Sequence, residues 1–184
     1  LLDEVEERSL GYILIGLITA GISQNSSYSA AAVLFYLLTY SVMTMGAFAV
    51  LSMMEKTENH FLTNEDFSGF AKNQPLLAFC LTIFLLSLAG LPPLLGFFGK
   101  LYLFSAAVSE GLMWLALWGV INSVISVYFY LRPIVMMYMK DGNADITEEP
   151  QQATTVLVVV AALIILVVGL FSGPLFTLFE NSLG

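Results

Sequence analysis

The chain has 184 residues, 6 Lys+Arg against 14 Asp+Glu, and a formal net charge of −8. Hydrophobic residues make up 58% and charged residues 11%, where a soluble domain shows about 45–50% and about 25%. With a mean hydropathy of +0.86, these values exclude an ordinary soluble globule. The acidic balance excludes nucleic acid as a partner, because phosphates call for a Lys/Arg surface. One cysteine, Cys80, makes neither an internal disulfide nor a Cys-based metal site. The charges gather at 3–8, 55–72, 110, 140–149 and 180, and only Lys100 and Arg132 fall outside those clusters. Apolar runs with charge gathered between them predict an all-α fold: a polytopic bundle of about five transmembrane helices in a lipid bilayer.

Residues 1–9 form an acidic stretch. Asp3, Glu4, Glu6, Glu7 and Arg8 cannot enter hydrocarbon, where an Asp or Arg at mid-span costs about 2.5–3.5 kcal/mol. The first span, 10–22, is thus short of the ~20 residues that cross a bilayer. An acidic start at Leu1 is the opposite of a basic signal peptide, so a fragment, or a chain with a replaced upstream part, is expected. Residues 28–54 make a second span, long enough with tilt. The third, 76–108, is too long for one straight span and is interrupted by Gly90-Leu91-Pro92-Pro93. The fourth, 112–139, ends in a turn containing Pro133 and the charged loop 140–149. The fifth, 154–171, closes at Gly173-Pro174, and residues 175–183 read as a short amphipathic end at the interface.

Basic residues set the expected orientation. Lys56, Lys72 and Lys140 lie in loops on one side, with Arg132 near that end of its helix, while loops 23–27 and 109–111 carry none. The positive-inside bias places loops 55–74 and 140–152 in the cytoplasm and the C-terminus outside.

The chemically loaded segment runs from Ser87 to Lys100. Pro92 and Pro93 lack an N–H, and each ring clashes with the carbonyl four residues back, so the helix must break there and leave carbonyls free. Non-helical backbone at that depth survives only where protein or a watery cavity surrounds it. Gly96 and Gly99 let another helix approach closely. Lys100 is the one charge in this span, about 12 Å in from Val108 at 1.5 Å per residue. Snorkelling to the interface is the bland alternative, but the stem covers only about half that depth. An ionisable group beside a discontinuous helix is how transporters build ion sites, and a desolvated lysine gives up its proton more readily than one in water. Lys100 is therefore read as a proton relay, with Gly90, Pro92, Pro93 and Gly96 forming the break. The span holds no carboxylate, so a partner must come from elsewhere.

Arg132 faces the loop end of its helix, where snorkelling or interhelical pairing is expected. Asn122, Ser123, Ser126, Tyr128 and Tyr130 give the same helix a polar edge. It reads either as glue between helices or, together with Arg132, as a polar path. Thr39, Tyr40, Ser41 and Thr44 of the second span read as glue. His60 is the one histidine and lies in a charged loop, which argues against a His-based metal site. No phosphate loop or nucleophile–base pair is visible.

These residues carry a family resemblance. The run Ser87 to Lys100, followed by Leu101-Tyr102-Leu103-Phe104, resembles the broken helix of the antiporter-like membrane subunits of respiratory complex I (NADH-quinone oxidoreductase). Asp66-Phe67-Ser68-Gly69-Phe70 and Pro75 to Ala78 resemble the loop before it, and Gly119 to Arg132 with Met137-Tyr138 the helix after it, most closely in subunit N. Gly11-Tyr12 to Gly16 also fits. The likeness runs from about residue 10 to the C-terminus and implies the last helices of a longer subunit. It departs at the start, where Ser9 stands in place of the family's His and residues 3–9 in place of an Ala-Tyr-Ser-Ser stretch. The first of the family's two repeats has no counterpart, so a two-repeat pump is not expected to be complete here.

The resemblance implies a proton-translocating membrane arm in a bacterial inner membrane, with other membrane-arm subunits as partners and Lys100 in the proton path. It implies no cofactor in this chain, with NADH, FMN, iron–sulfur clusters and quinone belonging to other subunits. Two alternatives stay open: a subunit of a related sodium/proton antiporter or membrane-bound hydrogenase, and a non-pumping membrane scaffold.

Overall fold

The computed structural model describes residues 2–22, 26–54, 63–146 and 152–183. Lys56 and His60, Glu148 and Glu149 lie outside the described residues, and with them parts of both expected cytoplasmic loops. The described elements are α1 (Leu2–Ile22), α2 (Ser26–Met54), a 3-10 turn (Asn64–Phe67), α3 (Phe70–Asn73), α4 (Pro75–Ala89), α5 (Leu95–Ser109), α6 (Met113–Met139), α7 (Gln152–Leu170) and α8 (Ser172–Leu183). Among the described residues there is no strand.

The all-α bundle follows the apolar pattern, with informative differences. Among the described residues, three helices are long and apolar enough to cross a membrane: Ser27–Met54, Met113–Met139 and Gln152–Leu170. The segment expected as one broken span is two half-helices of 15 residues each, α4 and α5. α1 begins at Leu2, eight residues before the apolar stretch, because helix formation does not stop where hydropathy falls. Pro133 does not end the fourth span in a turn. It is buried inside a continuous α6, as membrane helices tolerate when neighbours enclose the freed backbone.

The tail is the short amphipathic end expected, and its helix begins three residues earlier. Residues 172–183 form a helix with an anchor in the bundle: the buried Phe176 ring stacks on Tyr102 of α5 at 3.9 Å and meets Phe35 of α2 edge-on at 5.9 Å. α2 is the hub, packing against α1, α4, α5, α7 and α8. Large apolar side chains such as Trp114, Trp118 and Val124 stand exposed on the outside of α6, as on a surface that meets lipid or another protein.

Three hydroxyls of α2 are spent locally. Thr39, Ser41 and Thr44 give their hydroxyl protons to carbonyls of their own helix, those of Tyr36, Leu37 and Tyr40 at 2.8–2.9 Å. These bonds run within α2, where glue between helices was expected.

The segments 63–74 and 140–146 form a clasp at one end. Ala144 N–H donates to Ser68 O at 3.0 Å, Asn73 Nδ2 to Ala144 O at 2.9 Å and Gln74 Nε2 to Asp145 at 2.8 Å. Lys72 pairs with Asp141. Gly69, at φ 77°, lies so tightly on Gly142 that a Cβ there would collide with its carbonyl. The described parts of the two loops expected to share a side therefore touch.

Candidate functional site

The break between α4 and α5 builds the site. α4 starts with Pro75 at its first position, where a missing N–H costs nothing. It ends in a Schellman closure: Gly90, left-handed at φ 81°, donates to Ser87 O at 2.9 Å, and Leu91 N–H donates to Leu86 O at 3.1 Å. In an uninterrupted helix the next two carbonyls, of Leu88 and Ala89, would receive the N–H groups of residues 92 and 93. Both are prolines and have none. Two carbonyls at the negative end of the helix dipole are thus left for another donor.

That donor is Lys100. Its Nζ donates to Leu88 O at 2.9 Å and reaches Ala89 O at 3.5 Å. A third bond joins it to Ser123 Oγ of α6 at 3.1 Å. The ring of Tyr12, from α1, faces it with the centroid 4.9 Å away. Lys100 is 7% exposed. Its side chain leans toward the N-terminus of α5, as helical side chains do, and so points into the break and away from the interface. This is the opposite of snorkelling. Lys100 thus meets neutral acceptors from α4, within its own span, and from α6, and an aromatic face from α1.

The glycines make room for this arrangement. A Cβ on Gly90 would sit 3.2 Å from both Cδ and Nζ of Lys100, so this position serves both the left-handed cap and the lysine's path. At Gly96 a Cβ would strike the Ser87 carbonyl, and at Gly169 of α7 it would come within 2.6 Å of Pro93 O. The two half-helices and α7 meet backbone to backbone. Ser87, fully buried, pins the junction: its Oγ accepts from Gly96 N–H at 3.0 Å and lies 2.9 Å from Met43 Sδ of α2.

The expected polar edge of α6 divides into two faces. Ser123, Ser126 and Tyr130, spaced i, i+3 and i+7, face inward, and Ser123 bonds to Lys100. Ser126 is buried and gives its proton to Asn122 O at 2.7 Å, and Tyr130 is buried. Tyr128 and Arg132, one turn apart, are exposed on the outer face. An open-sided cavity of about 310 Å³ between α5 and α6 leads to Lys100 and Ser123, walled by Phe97, Phe104, Val120 and Val124. Among the described residues no group of three or more His, Cys, Asp or Glu could hold a metal ion.

Two contributors were not marked as site residues by sequence. Tyr12 lies 88 positions from Lys100, and Ser87 looked like any hydroxyl in an apolar helix. The signal within reach was that Ser87 stands nine residues before a glycine across a double-proline break.

Chemically, the site holds an ammonium by dipoles and a π face. The acceptors named here carry no net charge and hold the cation by their dipoles, and a largely apolar cavity lies at its side.

The chain is similar to known proteins in sequence and in fold. Residues 9–126 match the family described as NADH:quinone oxidoreductase/Mrp antiporter, TM. NADH-quinone oxidoreductase subunit N of Bdellovibrio bacteriovorus is 60% identical over 173 residues, 94% of this chain and 36% of that protein. Subunit N of Chloroflexus aggregans is 40% identical over 173 residues, 94% of this chain and 35% of that one. The chain thus spans about a third of the length of these relatives. Among solved structures, respiratory complex I from Thermus thermophilus with bound aureothin matches with TM-score 0.72 and 26% identity, covering 95% of this chain and 44% of that one. An Mrp complex from a Dietzia species matches with TM-score 0.74 at 20% identity, over 92% of this chain and 39% of that one, which bears on fold alone.

Proposed function

The chain belongs to the NADH:quinone oxidoreductase/Mrp antiporter transmembrane family, and from that premise we propose that it works in the proton-translocating membrane arm of a bacterial NADH-quinone oxidoreductase, with Lys100 as a proton relay. The observation that carries this reading is the composite seat of Lys100: a buried ammonium held on two carbonyls that Pro92 and Pro93 cannot bond, with a cavity at its side. A lysine buried for packing alone is expensive, and intramembrane ionisable groups mark ion pathways. The broken helix gives the ion a fixed dipole, beside which the lysine can change protonation state.

In this reading the break residues Gly90, Pro92, Pro93 and Gly96 shape the relay, and Ser123 is its nearest polar neighbour on α6. Ser126 and Tyr130, buried on the same face of α6 as Ser123, extend the polar path, with Tyr128 and Arg132 on the exposed face of that helix. The basic loops 55–74 and 140–152 lie in the cytoplasm and the C-terminus outside. Other membrane-arm subunits are the partners, and NADH, FMN, iron–sulfur clusters and quinone belong to the rest of the complex.

The test is Lys100→Ala in the assembled complex, in native membrane vesicles. Proton pumping driven by NADH should fall at least about tenfold, with the complex present at wild-type level. Unchanged pumping would exclude the relay.

A further inference from the structure

We infer that Tyr12 is a positioning residue that holds the charged form of Lys100 against the broken helix through the face of its ring. This rests on the reading of Lys100 as a relay and adds to it a part played by α1, which lies outside the broken helix. The ring centroid is 4.9 Å from Nζ, inside the roughly 6 Å within which an aromatic quadrupole attracts a cation. The attraction is strongest where water is excluded, and both residues are buried, Tyr12 at 3% exposure.

The ring is fixed in place from several sides. It meets Tyr36 of α2 edge-on at 6.0 Å and Phe104 of α5, tilted by 52°, at 6.0 Å. One turn along, Gly16 presses α1 onto its neighbours, where a Cβ would lie 2.7 Å from Val33 of α2 and 2.8 Å from Leu103 of α5. Phe104 and Leu103 belong to the same half-helix as Lys100. Any shift of α5 that moves Lys100 therefore moves it against this ring, and a displacement of α1 withdraws the ring from the cation.

The geometry also limits what the ammonium can do. Two carbonyls lie on its α4 side, the Ser123 hydroxyl on its α6 side and the Tyr12 face on its α1 side. A ring face attracts a cation but offers little to a neutral amine, so it favours one protonation state without supplying a proton acceptor. The role belongs to the ring face.

Graded weakening of that face separates this from packing. In the assembled complex, Tyr12→Phe keeps the ring and sets the reference rate for the series. Mono-, di- and trifluorinated phenylalanines at position 12 withdraw electron density from the face with little change in size. Pumping should fall stepwise along the series, by about two- to tenfold in all, at constant amounts of assembled complex. Lys100→Met is measured alongside. A flat response to fluorination while Lys100→Met abolishes pumping overturns the role of Tyr12 and leaves the relay standing. Normal pumping by Lys100→Met overturns the relay, and the role of Tyr12 with it.

Discussion

Lys72 and Lys100 are placed by one fold in opposite surroundings. Lys72 is 65% exposed and meets Asp141, itself 96% exposed, in the clasp between segments 63–74 and 140–146. Lys100 is buried and meets backbone carbonyls, a hydroxyl and a ring. The exposed lysine has a full opposite charge, yet water and salt screen the pair, and surface ion pairs of this kind contribute little. The carbonyls, hydroxyl and ring at the buried lysine offer partial charges, but in a medium that does not screen them. What decides the weight of an interaction here is the surroundings of the lysine more than the formal charge of its partner.

The contrast can be broken from the largest effect to the smallest. Giving the break its donors back is the most drastic route. Pro92→Ala with Pro93→Ala restores two N–H groups that compete with Lys100 for the Leu88 and Ala89 carbonyls. Proton pumping should fall about tenfold or more, read as proton translocation per NADH oxidised. Next comes Gly90→Ala, which puts a side chain at φ 81° and 3.2 Å from the lysine. The left-handed conformation alone costs about 1–2 kcal/mol, and faster hydrogen exchange across 86–100 should report it. Ser123→Ala removes one hydroxyl acceptor and should lower pumping several-fold, on the order of one charge-assisted hydrogen bond. Ser123→Thr keeps the hydroxyl and should recover most of that.

The smallest effects belong to the exposed pair. Lys72→Ala should leave pumping unchanged and speed hydrogen exchange in 140–146, an effect that disappears in high salt. The Lys72 hydrogen bond and charge hold the Asp141 carboxyl below its ordinary range. A folded-state pKa that is lowered stabilises above the unfolded value and loses that contribution as pH falls through the folded one. Protection of 140–146 should therefore be complete above the ordinary carboxylate range, weaken as pH falls through that range, and be lost once pH passes below the lowered value of Asp141.

Much of the fold and the centre of the site can be read from the sequence, because their signals are local. Apolar runs place the long helices, and Gly90-Leu91-Pro92-Pro93 must break the third span whatever surrounds it. The depth of Lys100 follows by counting. Helix ends are less legible: α1 runs through its acidic residues because hydropathy marks the membrane and not the helix, and Pro133 sits inside α6 because neighbours enclose it. Side-chain partners are the least legible part. Thr39 and Thr44 could have bonded within or between helices, and only packing decides. Tyr12 and Lys100 meet across 88 residues with no shared pattern. The two faces of α6 are visible as a spacing of Ser123, Ser126 and Tyr130 against Tyr128 and Arg132, but which face turns inward depends on α5.

The central claim is that Lys100 must let its proton go as well as hold it. Lys100→Arg separates the two requirements, since a guanidinium keeps the charge and the hydrogen-bond donors but does not deprotonate in a protein. In assembled complex at wild-type abundance, Lys100→Arg should pump as poorly as Lys100→Met. Wild-type pumping by the arginine variant, with the methionine variant inactive, would contradict the relay and make Lys100 a fixed charge.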